Sequence, residues 1–384
     1  MTPMMEQYFQ IKNQYKDYLL FYRLGDFYEM FFDDAILASR ELELTLTGRD
    51  CGEEERAPMC GVPFHSSEGY IGRLIEKGYK VAICEQVEDP ALAKGLVKRE
   101  VIRVVTPGTL IETDLLTEQM NNYLCTVFMG EREWGVCFAD ASTGEVSATV
   151  LSGDNMVARL KTELGTYAPR EVICNLTREN MGEIGEFLFS NKRILVSDGE
   201  SARFDPTEGR ARVLAQFGDS IKEDELDSIP LVCATGAILS YIEDTQKRDI
   251  SYIRSFAVFN DGQYLDMDLN TRRNLELTES MRSKDKRGTL LWVLDKTKTA
   301  AGARMLRKWV EHPLTNLGLI LRRQGAVEEL CGNFMLREEI AEALSHVLDL
   351  ERLTTRIVYG NANGKDLRAV AVTASVLLSQ CLQI

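Results

Sequence analysis

Three short apolar runs, "NNYLCTVFMG", "EWGVCFADAS" and "GEVSATVLS", follow one another from about residue 120, separated by turn residues. Runs of this length broken by Gly, Asp and Ser read as strands, and strands joined so tightly pair antiparallel. The period then changes to a helix ("DNMVARLKTEL"), a strand ("REVICN"), a helix ("TRENMGEIGEFLF"), a strand ("KRILVSD") and a further helical stretch. A meander must bury one face, and the alternating elements supply helices to cover it. The segment therefore has to be a mixed sheet with covering helices.

That order is the one found in ribonuclease H-like domains, so residues 117–253 read as a ribonuclease H-like α/β domain closing near Asp249, after the acidic loop "IKEDELDSIP". Residues 1–116 mix strand-like and helix-like pieces: "LLFYRLGDFYEMF", helical "DAILASRELEL", a short amphipathic helix "YIGRLIEKG" stopped by Gly78, and the strands "YKVAICEQV" and "REVIRVVTPGT". They form a small α/β domain. After a short strand-containing connection, Tyr252 to Gln263, residues 254–384 are nearly all helical. In the last segment Leu367, Val370, Ala371, Ala374, Leu377, Leu378 and Cys381 recur at helical spacing, and Ile384 follows without a Gly, Pro or basic cap. A piece of a longer protein is expected.

With 384 residues, two or three domains fit. No apolar leader and no uncharged apolar run of ~18 residues is present, which reads as a soluble, cytoplasmic chain, nucleoid-associated if bacterial, with no membrane partner. The nine cysteines are scattered, never Cys-x-x-Cys, and sit in apolar runs, as reduced core residues do. Three histidines (65, 312, 346) do not suggest a metal centre. A net charge of −14 opposes a general grip on nucleic acid, but the balance is local. Residues 272–308 hold eleven Lys/Arg against four acids, and "KGLVKREVIR" carries Lys94, Lys98, Arg99 and Arg103. Each cluster is either a partner surface or a solvated helix face.

"GDFYEMFFDDA", Gly25 to Ala35, sets Phe27 and Glu29 two positions apart. As a helix, Asp26 and Glu29 would form a capping box with Phe27 on the far side. As a strand, Leu24, Tyr28 and Met30 point one way and Phe27, Glu29 and Phe31 the other. The density of aromatics and Gly25 favour a strand through Phe31 and a helix from near Asp33. An apolar ring beside a carboxylate can wedge into a base stack and hydrogen-bond a base edge; a core ring and an exposed acid is the plainer alternative.

The same stretch resembles the Phe-x-Glu mismatch-reading motif of the bacterial MutS family of DNA mismatch repair proteins. Further stretches agree in order: "PMCGVPFHSSEGY", "GYKVAICEQVEDP", "REVIRVVTPGT", "FADASTGE", "NTRRNLEL", "DKTKTAAGARMLRKWVEHPL" and "LDLERLTTRIVYGNANGKDL". The resemblance implies a mismatch-binding domain (1–116), a connector (117–253) and the start of an all-α lever or core region (254–384). It implies that Phe27 stacks on the mispaired base, that Glu29 accepts a hydrogen bond from it, and that Arg49, His65 and Arg99 match positions contacting the DNA backbone. His65 departs from relatives with a longer basic side chain there, and Cys60 stands where alanine is common. Placed in the lever region, the 272–308 cluster takes the solvated reading. The resemblance further implies mismatched duplex DNA and a MutL-type repair protein as partners, and a homodimer in the full-length protein. ATP and Mg would be bound in an ATPase domain beyond Ile384, so this chain holds no cofactor and is no enzyme.

Two other features take structural readings. "GNANGKD" has three residues between its glycines and Asp366 after the lysine, where a phosphate loop needs four and then Ser or Thr. Asp140 and Glu145 in "FADASTGE" read as turn-forming acids. A metal-dependent nuclease on the ribonuclease H-like domain and a pure protein-docking module remain as alternative functions.

Overall fold

The computed structural model describes residues 1–52, 54–88, 95–218, 220–259 and 262–381. Lys94 of the basic run, the side chain of Cys381 and the chain beyond it lie outside the described residues.

The first sheet is built from α1 (Pro3–Lys12), β1 (Leu19–Leu24), β2 (Phe27–Phe31), α2 (Phe32–Leu42), β3 (Thr47–Arg49), β4 (Ala57–Pro63), α3 (Ser67–Glu76), β5 (Val81–Gln86) and β6 (Arg99–Val105). Its strand order is β3-β4-β2-β1-β5-β6, with only β1 and β5 parallel among the pairs. Tyr28 and Met30 face one core with Val62 and Leu74, while Phe31 faces another with Met5 and Tyr8 of α1. The sequence suggested a single strand running from Leu24 through Tyr28. Instead Leu24 ends β1, and Gly25 with Asp26 makes a two-residue hairpin that pairs Leu24 with Phe27. Gly25 has φ +58, the positive value such a turn asks of its first central residue. Gly78, φ +84, follows α3 as expected of a helix-stopping glycine.

The second sheet comprises β7 (Leu124–Met129), β8 (Glu133–Asp140), β9 (Glu145–Ser152), α4 (Met156–Tyr167), β10 (Glu171–Cys174), α5 (Glu183–Ser190), β11 (Leu195–Ser197), α6 (Pro206–Phe217), α7 (Glu223–Asp227), α8 (Ile229–Gln246) and β12 (Ser255–Val258). The order is β11-β10-β7-β8-β9-β12, antiparallel through β7, β8 and β9 and parallel elsewhere. The connection strand β12 thus adds to this sheet, beyond residue 253. Helix α8 is buried nearly all round and crosses the sheet against α6. A Cβ on Gly236 would stand 2.4 Å from the Cα of Gly209, so glycine at both positions sets how closely the two helices approach.

The remainder is helical: α9 (Leu269–Asn274), α10 (Leu290–Leu294), α11 (Ala300–Glu311), α12 (Leu317–Gly332), α13 (Phe334–Ser345), α14 (Leu350–Val358) and α15 (Gly364–Cys381). Side-chain oxygens of Thr299, Asn316, Asn333 and Asp349 cap α11 to α14. The periodic stripe on α15 is not a buried face: Leu367 and Leu378 are exposed, while Thr373 is buried. Among the described residues, no helix is long and apolar enough to cross a membrane.

Two polar clusters tie these parts together. Glu171, fully buried, accepts from Tyr241 Oη (2.6 Å), Thr106 Oγ1 (2.5 Å) and Gly108 N (3.1 Å). Arg352 of α14, also buried, donates to the carbonyls of Thr117 (3.1 Å) and Met120 (2.7 Å) and to Ser142 Oγ (3.2 Å). Arg304 of α11 donates to the carbonyl of Glu118 and to both oxygens of Asp349. The stretch 117–122 between the two sheets is therefore gripped by arginines from the helical region.

Candidate nucleic-acid interface

Strand β2 emerges from the hairpin with alternating burial. Phe27 is 46% exposed, Tyr28 buried, Glu29 partly buried, and Met30 and Phe31 buried. Phe27, Glu29 and Phe31 share one face, as the strand reading required. Helix α1 covers the Phe31 end through Tyr8, whose ring lies edge-on to Phe31 at 5.1 Å. The Phe27 end is left open. An exposed ring with a carboxylate beside it at the rim of a rigid core is the result.

Neighbouring strands frame that pair. Glu29 lies between Tyr22 on β1 and Gly61 on β4, and Phe27 lies between Leu24 and Pro63. The backbone N–H of Phe64 donates to the carbonyl of Asp26 at 3.0 Å, which pins the start of the "PFHSS" turn to the hairpin tip. Phe64 is 39% exposed, and the Arg23 guanidinium stacks 3.5 Å from its ring centroid. Arg23 is held in turn by Glu85 at 3.2 Å. Sequence reasoning did not single out Phe64; it follows the end of β4 at Pro63, where alternation from buried Val62 would have placed it inside, and the turn that begins there leaves it exposed.

The other expected site residues fall in three settings. Arg49 of β3 donates from Nη1 to Glu29 Oε2 at 2.5 Å, so the two are brought together. His65 is exposed in the short turn with its ring edge-on to Phe64 at 5.8 Å, on the same edge as Phe27. Arg99 is turned inward. It is 7% exposed and donates to the carbonyls of Arg23 (2.8 Å) and Val97 (2.9 Å) and to Gln7 Oε1 (3.1 Å), with Tyr22 beneath it. Three internal acceptors satisfy its fork, which explains why it faces inward.

The remaining motifs are structural. Asp140 accepts from Asn121 Nδ2, Asn122 N, Ser142 N and Ser142 Oγ, and Glu145 pairs with Lys308. In the "GNANGKD" stretch Asn363 Oδ1 accepts from the N–H groups of Lys365 and Asp366 to start α15. Within the 272–308 cluster, Lys286, Arg304, Arg307 and Lys308 are each spent on a carboxylate. His312 is wedged against the rings of Tyr167 and Tyr264, and burial, aided by Arg272, pushes its pKa down to about 4. Among the described residues no group of three or more His, Cys, Asp or Glu is placed to hold a metal ion. Seven cysteines are buried and free, as expected of core thiols, while Cys331 is exposed.

Comparison with known families decides the kinship of this arrangement. Residues 2–114 match the model of MutS domain I, residues 122–254 that of MutS domain II, and residues 270–384 that of MutS domain III. The chain belongs to the MutS family. It is 49% identical over 370 residues to the DNA mismatch repair protein MutS of Acetivibrio thermocellus, covering 96% of this chain and 42% of that protein. The MutS of Ruminiclostridium cellulolyticum is 50% identical with the same coverage, and that of Lachnoclostridium phytofermentans 49% identical over 98% of this chain and 40% of its own. The chain thus spans less than half the length of these MutS relatives. The face that carries Phe27 and Glu29 lies wholly within the part that matches domain I.

Proposed function

We propose that the chain recognises mispaired bases in duplex DNA for mismatch repair, with Phe27 inserted from the minor groove to stack on the mispaired base and Glu29 accepting a hydrogen bond from it. The observation that carries this reading is the exposed ring and the carboxylate on one face of β2, at the open end of a rigid sheet. Unstacking a base step costs a few kcal/mol and costs least where pairing is already defective, so a single wedge converts a pairing defect into affinity. His65, on the same edge, supplies a backbone contact. The domain built on the second sheet serves as the connector that receives a MutL-type partner, and its antiparallel meander followed by parallel strands supports the ribonuclease H-like description. The homodimer, ATP and Mg belong to the full-length protein.

In the full-length protein, Phe27→Ala should abolish the preference for a G·T mismatch over matched duplex while leaving weak, salt-sensitive binding in place. Titration of labelled duplexes measures both. Equal discrimination by variant and parent would sink the proposal.

A further inference from the structure

Arg49 was expected to hold phosphate, but its one partner among the described residues is Glu29. From this geometry we infer that Arg49 is a positioning residue for the Glu29 acceptor rather than a backbone clamp. The inference rests on the reading of Phe27 and Glu29 as the mismatch-reading pair.

In the sheet order β3-β4-β2, the arginine must reach across the whole of β4 to meet the carboxylate. Adjacent strands lie about 4.8 Å apart, which puts the two backbones about 10 Å apart sideways, and the register adds a four-residue offset along β4, since Arg49 stands opposite Ala57 and Glu29 opposite Gly61; two long side chains reaching toward each other cover the distance. Glu29 has its flank open on the β4 side because its cross-strand neighbour is Gly61; a Cβ there would stand 3.5 Å from Glu29 Cγ and 3.2 Å from the carbonyl oxygen of Tyr28. The guanidinium takes Oε2 and leaves Oε1 without a partner among the described residues. A carboxylate with one oxygen tethered and the other free, beside an exposed ring, is an acceptor aimed in advance.

Two physical consequences follow from this tether. A free glutamate loses several rotatable bonds' worth of freedom when it fixes on a base, and a tethered one has lost it already. A bare carboxylate is also repelled by the phosphates on either side of the groove, whereas the paired one approaches as a neutral unit. Arg49 is 38% exposed along its side chain and Glu29 16%, so the pair sits at the rim where DNA would meet it rather than inside the core.

The experiment is a set of titrations in the full-length protein with G·T and matched duplexes at several salt concentrations, for the parent, Phe27→Ala, Glu29→Ala, Arg49→Ala, Gly61→Ala and the Glu29→Ala/Arg49→Ala double variant. Arg49→Ala should lower the mismatch-to-matched ratio by about tenfold, the worth of one hydrogen bond to a charged group. The double variant should lose no more than Glu29→Ala alone, because the arginine acts through the carboxylate. Gly61→Ala should lower the same ratio without changing the salt slope, since no cation is touched. If Arg49→Ala instead weakens both duplexes equally and flattens the salt slope by about 0.9, it is a phosphate contact and the inference is overturned. A parent that shows no mismatch preference overturns the reading of Phe27 and Glu29, and this inference with it. A Phe27-dependent preference that survives Arg49→Ala overturns the inference alone.

Discussion

Replacing Arg352 by alanine should destabilise the helical region by about 3–5 kcal/mol, the usual consequence of removing one partner from a buried charged network. The side chain is 2% exposed and donates to the carbonyls of Thr117 and Met120 and to the hydroxyl of Ser142, so its removal takes three hydrogen bonds from the seam between α14 and the linker. Asp349, whose carboxyl is held below its usual range mainly against burial by Arg304 and then by Arg352, would keep only the first of these cations. Lysine should recover only a minor part, because one ammonium cannot reproduce a fork that reaches three acceptors. Two measurements check this: the urea midpoint, and amide exchange at residues 117–122, where protection should collapse first. Unchanged exchange there would show that the arginine fills space without gripping the linker.

Gly135→Ala should be at least as damaging. A Cβ at this position of β8 would lie 1.8 Å from the carbonyl oxygen of Pro230 and 2.4 Å from its carbon, and a backbone carbonyl cannot swing aside as a side chain can. Helix α8 would have to lift from the sheet, yet it is held by Thr126 Oγ1 on the carbonyl of Ala234 at 2.7 Å, by Tyr241 on Glu171, and by its glycine contact with α6. Losing more than ~4 kcal/mol is expected, which for a domain of this size lowers Tm by roughly 10 °C. Gly69→Ala is the control: on the exposed side of α3 with nothing within 4 Å of the added carbon, it should stabilise by up to about 1 kcal/mol. Calorimetry separates the two, and a Gly135→Ala protein melting within about 2 °C of the parent would show that α8 can lift from β8 at little cost.

What was legible in the sequence depended on range. Alternation in "DFYEMF" is local, so the shared face of Phe27 and Glu29 follows from those six residues alone. The hairpin at Gly25 and Asp26 was missed because the apolar run continues through it on both sides. The Arg49–Glu29 pair was out of reach, since nothing in "LTGRD" says that β3 will lie two strands from β2. The inward setting of Arg99 was hidden for a related reason: a basic run looks solvated until the acceptors on Gln7, Arg23 and Val97 are brought in from elsewhere. On α15 the 3.6-residue period was correct as a statement about the helix, but period carries no information about whether a neighbour covers the stripe. Arg352 sits in "LDLERLTT", where its charge looks like any other on a helix; its partners lie more than 200 residues earlier.

That separation has a consequence in time. At ~5–20 residues per second, a ribosome that has just made Ser142 needs about 10–40 s to reach Arg352; the two sheets are completed before Arg304 is made, and the stretch joining them is held by neither arginine until then and by one only until Arg352 follows. The newborn protein therefore passes through a stage in which its two N-terminal units meet through contacts of their own, such as Glu171 with Thr106 and Gly108, while the stretch 117–122 is not yet fully clasped. Slowing elongation lengthens that stage, and the arrival of α14 closes it.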